Sequence, residues 1–371
     1  MSSVPKKSLA AVLVNYNTPL ELQEVEILDP EPRAIIAKID AATICGTDVH
    51  MLHGQLSQFS KIPLVMGHEM VGRVVKLGKG RERDAADQPL KEGDRIVWAY
   101  PWCGECYYCT IALQPTQCRY ARMYGWGSLK EKPYLTGGFS EYVYVMPKCH
   151  VVKVPDEVES SVASAATCAF RTVIHNFERL GGLGIQEKVL ILGCGPIGLF
   201  AVALAVASGA AETAVIGAPQ ARLDLAKKWG ANLTINIEDV TNHEERKEMI
   251  KKWADGRGPD VVVECAGPAP AFAQGLEMVR SGGRYIVIGQ SDPNPVAIHA
   301  TSFNLRQVEV GGALSGAVSH FYKAMQFLKN FRHRFNFEDM VANSYPLSQV
   351  NEALTAMAEM KDIKPVILPN Q

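Results

Sequence analysis

The chain has 371 residues, enough for two domains, and 47% of them are hydrophobic, as in an ordinary globular protein. The 38 Lys and Arg nearly balance the 39 Asp and Glu, for a net charge of −1, which argues against a general nucleic-acid-binding surface. The N-terminal residues lack the apolar core of a signal peptide, and glycine and proline interrupt the most apolar stretch, 189–211. We therefore expect a cytoplasmic protein with no membrane or nucleic-acid partner.

The predicted elements change character along the chain. Up to about residue 165, short β-type runs separated by Gly and Pro predict a barrel-like or sandwich-like domain. Strands and helices then alternate to residue 312, which predicts a doubly wound parallel sheet. The β-type runs are 34–39, 70–77, 95–99, 139–145 and 150–154; the later strands are 188–192, 213–216, 260–264 and 284–288; and the later helices are 199–208, 221–229, 243–255 and 271–279. Two final helices, 318–330 and 348–360, are too few for a core and are expected to pack onto the first domain.

Nine cysteines in a chain without a secretion signal point to metal rather than to disulfides. Cys103, Cys106 and Cys109 form C-x2-C-x2-C, and Cys118 follows. Four thiolates with this spacing complete a tetrahedral zinc shell, which is a structural site because no position is left for substrate. The alternatives are a chance cluster of thiols and a redox C-x-x-C pair.

A second metal set emerges only when three distant motifs are combined. Cys45 lies in T-I-C-G-T-D-V-H, His68 and Glu69 lie in M-G-H-E, and Cys168 lies in A-T-C-A-F. Two thiols and one imidazole are the donors of a catalytic zinc with an open fourth position. Thr47 and His50 follow Cys45 closely and could carry an alcohol proton to solvent, and Asp48 could orient a ligand.

Residues 193–198 read G-x-G-x-x-G between a predicted strand and a predicted helix, the context in which this fingerprint binds a dinucleotide. Its glycines allow a tight turn and let the backbone approach a pyrophosphate at the helix N-terminus. The second strand ends in Gly217, where an acid would bind the 2′-hydroxyl of NAD. Arg222 follows, either near a 2′-phosphate or on the helix surface, so NAD and NADP both remain open. The fingerprint residues are Gly193, Gly195, Pro196, Ile197 and Gly198.

Two zinc sets and a dinucleotide fingerprint in this order resemble the zinc-dependent alcohol dehydrogenases of the medium-chain dehydrogenase/reductase superfamily. The resemblance covers residues 10–368 and implies a GroES-like catalytic domain, 1–169 with 313–371, around an inserted Rossmann coenzyme domain, 170–312. It implies two zinc ions per chain, NAD or NADP, and a homodimer or homotetramer. It also implies that Glu69 can approach or replace a zinc ligand, that Thr47 binds the alcohol, that His50 ends a relay through the coenzyme ribose, and that Lys364 binds the pyrophosphate.

The chain departs from the family pattern at several points. Gly217 replaces the acid of NAD-dependent members, and Gly46 stands where some members have a basic residue. In the segment 103–118, here called the cysteine lobe, the spacing from Cys109 to Cys118 is one residue longer than is usual in the family. The segment 120–134 is an additional loop rich in Tyr and Trp, expected to shape the substrate entrance. Ala99 stands where relatives often have an aromatic residue, which favours a bulky substrate.

The predicted activity is the interconversion of an alcohol and an aldehyde or ketone by hydride transfer to or from NAD(P). A polyol or threonine-type amino-alcohol dehydrogenase is the alternative within the superfamily, although those enzymes often carry an acid where Cys168 stands. A zinc-free enone reductase would lack the Cys–His–Cys set. From another class, a non-catalytic redox sensor that binds zinc and nucleotide is the alternative.

Overall fold

The apolar, β-branched segments around residues 35–43 and 69–77 pair as two antiparallel nine-residue strands, and the first unit of the structure is built around them. The structure is a computed structural model that describes residues 4–289 and 294–371. The chain divides into one unit formed by Met1–Cys168 and Gly316–Gln371, and a second formed by Ala169–Ser315.

The first unit contains two sheets with orders β2-β1-β4 and β15-β16-β3-β5-β6-β8, and β7 also pairs with β3. Its strands are β1 (Lys7–Leu13), β2 (Glu21–Glu26), β3 (Ile35–Thr43), β4 (Leu64–Val65), β5 (Glu69–Leu77), β6 (Arg95–Trp98), β7 (Tyr142–Val145), β8 (Val151–Lys153), β15 (Ser344–Pro346) and β16 (Val366–Leu368). Its helices are α1 (Gly46–Leu52), α2 (Tyr107–Thr110), α3 (Ser160–Ala165), α10 (Val318–Phe331) and α11 (Val350–Ala358). Because β16 pairs with β3, the C-terminal segment belongs to this unit.

The second unit is a six-stranded parallel sheet of order β11-β10-β9-β12-β13-β14. In sequence order this is 3-2-1-4-5-6, the strand order of a Rossmann fold, so the predicted doubly wound sheet is confirmed. Its strands are β9 (Lys188–Leu192), β10 (Glu212–Gly217), β11 (Leu233–Asn236), β12 (Val261–Glu264), β13 (Arg284–Val287) and β14 (Glu309–Gly312). Its helices are α4 (Arg171–Arg179), α5 (Pro196–Ala207), α6 (Gln220–Lys228), α7 (His243–Trp253), α8 (Ala269–Met278) and α9 (Thr301–Arg306).

Burial explains why these central strands read as continuous apolar runs. Val189–Ile191 and Val261–Val263 are fully buried, because helices cover both faces of a parallel sheet. Strands at the sheet edges, such as β11 and β14, were not predicted, because their polar residues and glycines remove the periodic signal.

Candidate active site

Cys45 is held at the N-terminus of α1 by a reciprocal pair of hydrogen bonds. The backbone N–H of Thr47 donates to Cys45 Sγ over 3.3 Å, and the backbone N–H of Cys45 donates to Asp48 Oδ2 over 3.0 Å. This is the geometry of a capping box with a thiol in place of the usual hydroxyl. Sequence reasoning missed α1, although C-x-x-D at 45–48 carries the signal when cysteine is accepted as a cap.

His68 lies just before β5 with its imidazole almost completely buried. Its Nε2 is 3.3 Å from Cys45 Sγ, and its Nδ1 is 3.4 Å from Asp48 Oδ1. Burial alone would lower the pKa of His68, but the Cys45 thiolate and the Asp48 carboxylate raise it well above its usual value. Asp48 thus lies on the side of the ring opposite to the thiol, and its role in orienting the ring stays a prediction.

Cys168 comes from a π-helical turn, Ala166–Phe170, that separates α3 from α4. Such wide turns inside helices often occur at functional sites. A hydrogen bond from Cys168, together with the charge of His68, holds the pKa of the Cys45 thiol well below its ordinary range. The ligand atoms of Cys45, His68, Glu69 and Cys168 all lie within 4.8 Å of one another. The structure thus brings together three segments that the sequence could only associate by residue type.

Glu69 is fully buried next to His68 and is satisfied by two partners. The Lys364 ammonium lies 2.6 and 2.7 Å from its two oxygens, and the Thr43 hydroxyl donates to it over 2.5 Å. Burial raises the pKa of Glu69 to about 7 against the opposing effect of Lys364. Lys364, expected on a coenzyme pyrophosphate, thus has a fully buried side chain paired with Glu69. That coenzyme contact stays a prediction.

Sequence reasoning missed two hydroxyls around this ion pair. Thr43 Oγ1 lies 3.1 Å from Ser164 Oγ, so strand β3 and helix α3 meet beside Glu69. Both residues are buried and ordinary for their elements, and their partners are distant in the chain. No local pattern could have identified them.

Thr47 and His50 lie three residues apart in α1, so their side chains share one face of the helix. His50 is partly exposed, and its Nδ1 is hydrogen-bonded to Gln55 Oε1. A residue near Cys45 and a histidine open to solvent are thus aligned on one element, as a proton relay requires.

The four cysteines of the lobe form a second cluster. Sγ of Cys103 lies 3.9 Å from Sγ of Cys109, and Sγ of Cys106 lies 3.9 Å from Sγ of Cys118. The edge of a tetrahedron with Zn–S bonds of about 2.3 Å is roughly 3.8 Å, so the spacing fits zinc. The backbone N–H of Glu105 is the first of the donors that lower the pKa of Cys103 to about 6, whereas burial raises the pKa of Cys109 to about 12.

The glycine loop has the shape that the fingerprint predicts. Gly193 has φ +97°, and a Cβ there would lie 2.9 Å from the Ala266 backbone. A Cβ on Gly198 would lie 2.0 Å from the carbonyl oxygen of Gly193, whereas Gly195 faces open space at the start of α5. Pro196 and Ile197 form the first two positions of that helix. Proline has no N–H, so the unpaired N–H groups that favour an anion begin at Ile197.

The structure excludes one of the two predicted positions of Arg222, which follows the end of β10. Arg222 on α6 is buried, so it is not a helix-surface residue. A Cβ on Gly217 would lie only 2.6 Å from Cys194 Sγ, so the thiol of the glycine loop occupies the space that a larger residue would need.

The comparisons with known proteins agree with this architecture. Residues 31–156 match the alcohol dehydrogenase GroES-like domain, and residues 196–330 match the zinc-binding dehydrogenase domain. The 5-exo-hydroxycamphor dehydrogenase of Pseudomonas putida is 32% identical over 365 residues, covering 96% of this chain and 98% of that protein.

This chain belongs to the zinc-dependent alcohol dehydrogenase family. The solved structure of the alcohol dehydrogenase of Thermotoga maritima aligns with a TM-score of 0.92 at 33% identity, covering 98% of this chain and all of that one. That of a zinc-binding dehydrogenase from Sinorhizobium meliloti bound to NADP aligns with a TM-score of 0.83 at 26% identity, covering 98% and 100%.

Membership confirms the predicted fold class, a GroES-like domain with a Rossmann domain, and the predicted enzyme that interconverts alcohols and carbonyl compounds with zinc and a nicotinamide coenzyme. The substrate is accordingly a small molecule. Among the helices of residues 4–289 and 294–371, none combines the length and apolarity that a membrane span requires.

Proposed function

We propose that Cys45, His68 and Cys168 hold a catalytic zinc, and that the four lobe cysteines hold a second, structural zinc. The observation that carries the proposal is the convergence of these donors from three separate segments to within 4.8 Å. Thiol and imidazole are the donors that zinc prefers, and three ligands leave one tetrahedral position for a substrate oxygen. Four thiols in the lobe leave none, so only the first site can act on substrate.

We assign residues 1–169 and 313–371 to catalysis and residues 170–312 to coenzyme binding. Zinc at the first site would supply Lewis-acid stabilisation of the negative charge that develops on the substrate oxygen. The Thr47 hydroxyl would release its own proton as it takes up the alcohol proton, and His50 would pass the released proton to solvent, with Gln55 holding its ring. Glu69 is anchored by Lys364, and its Oε1 lies 4.0 Å from His68 Nε2, so it could approach a metal held by His68.

The glycine loop, residues 193–198, would bind the coenzyme pyrophosphate, and the coenzyme would supply the hydride acceptor. Gly217 offers no carboxylate for a ribose hydroxyl, and Arg222 on α6 is buried. Neither residue selects between NAD and NADP, so both coenzymes belong in every assay.

The substrate we propose is a bulky, weakly polar alcohol rather than a polyol or an amino alcohol. The third donor is Cys168, whereas polyol and amino-alcohol enzymes often have an acid there. Ala99, fully buried just after β6, stands where relatives often have a larger, aromatic side chain. A relative 32% identical to this chain acts on a hydroxycamphor, which is an alcohol of this kind.

The test is metal analysis of the wild-type protein and of Cys45→Ser, combined with an activity screen using both coenzymes. We expect two zinc ions per chain in the wild type and turnover on cyclic secondary alcohols above that on sorbitol or threonine. Cys45→Ser should lose one zinc and its activity. Cys149→Ser is the matched control, because Cys149 is a buried thiol outside both clusters and serine keeps a partner for Tyr124.

Full turnover with normal zinc content in Cys45→Ser would refute the assignment. Coenzyme binding without turnover on any substrate would favour a sensor. A homodimer or homotetramer in the cytoplasm is the assembly we propose, to be tested by light scattering and fractionation.

A further inference from the structure

The stretch 124–139, here called the buttress segment, runs along the backbone that leads to His68. The backbone N–H of Leu129 donates to the Pro63 carbonyl over 2.8 Å, that of Gly138 donates to Gly67 over 2.8 Å, and that of Phe139 donates to Met66 over 3.0 Å. The first half of this segment belongs to the loop that departs from the family pattern. Through these hydrogen bonds the buttress segment supports the turn that carries the His68 imidazole.

Glycines allow this approach. Gly125 has φ +77°, and a Cβ on it would lie 2.9 Å from the Gly67 carbonyl oxygen and 3.0 Å from the His68 nitrogen. A Cβ on Gly137 would lie 2.1 Å from the Val65 carbonyl oxygen. A Cβ atom is not found this close to backbone atoms, so a side chain at either position would force the buttress segment and the backbone that leads to His68 apart.

Tyr124 anchors the segment to the core immediately before Gly125. Its hydroxyl donates to the Tyr144 carbonyl over 2.9 Å and accepts from the Met146 N–H over 2.9 Å. Its ring packs edge-on against Trp98 with a centroid separation of 5.6 Å. Gly125 is thus fixed on one side by a buried aromatic residue and on the other by its N–H, which donates to the Thr136 carbonyl over 2.6 Å.

We propose that the buttress segment is a positioning element of the metal site, with Gly125 setting the place of the His68 backbone. Asp48 Oδ1 faces the His68 ring, 3.4 Å from Nδ1, and a second restraint is needed on the backbone of the turn. The buttress segment supplies that second restraint. A ligand held from both sides loses less freedom when it binds metal and releases the metal more slowly. This inference rests on the proposed role of His68 as a ligand.

The experiment measures zinc release from the purified holoprotein to a chromogenic chelator. Gly125→Ala is expected to release one of the two zinc ions about tenfold faster than wild type, the lower end of the usual range for residues that orient ligands. The visible absorption of the cobalt-substituted protein should change at the same site. Gly93→Ala is the matched control, because Gly93 has φ +90° in the same unit with no atom within 4 Å of a new Cβ.

The variant His68→Ala distinguishes failure of the proposed ligand set from failure of the positioning role. If His68→Ala keeps both zinc ions, the proposed ligand set is wrong and the inference falls with it. If His68→Ala loses one zinc but Gly125→Ala releases zinc as slowly as Gly93→Ala, only the positioning role is overturned.

Should Gly125→Ala fail to fold, Tyr124→Phe replaces it, with Tyr142→Phe on β7 as its control. Faster release from Tyr124→Phe than from Tyr142→Phe supports the proposal, and equal rates overturn it. The zinc of the cysteine lobe serves as an internal reference in every variant.

Discussion

The two clusters of potential metal donors are assembled in opposite ways. The lobe draws four thiols from sixteen consecutive positions, 103–118, in a loop with two short helical turns, and three of these thiols are only partly buried. The Cys45 cluster draws its donors from a helix cap, a strand start and a π-helical turn that lie up to 123 positions apart (168 − 45). The difference shows that one donor cluster can be encoded by local spacing, whereas the other depends on the packing of a whole domain.

The largest difference between the clusters should appear in turnover. His68→Ala removes one donor, and we expect turnover to fall at least about a thousandfold, because the metal supplies several kcal/mol of charge stabilisation. The lobe should keep its zinc, and the melting temperature should change little. Steady-state kinetics and metal analysis on the same preparation make the measurement. Loss of both zinc ions would mean that the clusters are not independent.

Cys109→Ser should give the reverse pattern. A structural zinc contributes its binding free energy to folding, so we expect a loss of several kcal/mol, on the order of 10 °C in melting temperature. Turnover per folded molecule with the best alcohol should remain near that of wild type. Calorimetry with parallel activity assays checks this, and unchanged stability would contradict a structural role for the lobe.

Lys364→Met tests how far the Cys45 cluster depends on distant packing. It leaves the buried Glu69 without its cation, and the expected loss in free energy of unfolding is about 3–5 kcal/mol. Adding Glu69→Gln should restore part of the loss, because the unpaired charge is then gone. Lys7→Met, in an exposed pair with Glu24, is the control and should change stability by about 1 kcal/mol or less. Denaturant titration distinguishes them, and equal losses would refute the argument.

The smallest effect concerns the coenzyme unit and should leave both clusters loaded. Gly217→Asp adds a side chain against Cys194 Sγ, so we expect a loss of about 1–3 kcal/mol from overpacking. No gain in NAD affinity is expected, although an acid now stands at the ribose position. Cys194→Ala combined with Gly217→Asp should recover stability and bind NAD more tightly by fluorescence titration. Tight NAD binding by the single variant would show that the thiol is no obstacle.

Most of the fold could be predicted from patterns within short stretches of the sequence. Continuous apolar runs identified β9, β10, β12 and β13, and the glycine fingerprint lay between a strand and a helix, as expected. Elements without periodicity were missed, among them α1, which is seven residues long and capped by a cysteine. Thr47 and His50 both lie in that helix. Their residue types predict a proton relay, but no local pattern predicts the helix that aligns them.

By itself the sequence determined the cysteine lobe, the glycine loop and the parallel sheet, because each depends on spacing within a few tens of residues. Tertiary structure decided the rest. It placed Lys364 on Glu69, 295 positions away, packed Thr43 against Ser164, and laid Gly125 on the turn of His68. These contacts join residues with no shared local pattern. A buried charge or a close backbone approach is stabilised only by the partner that folding brings to it.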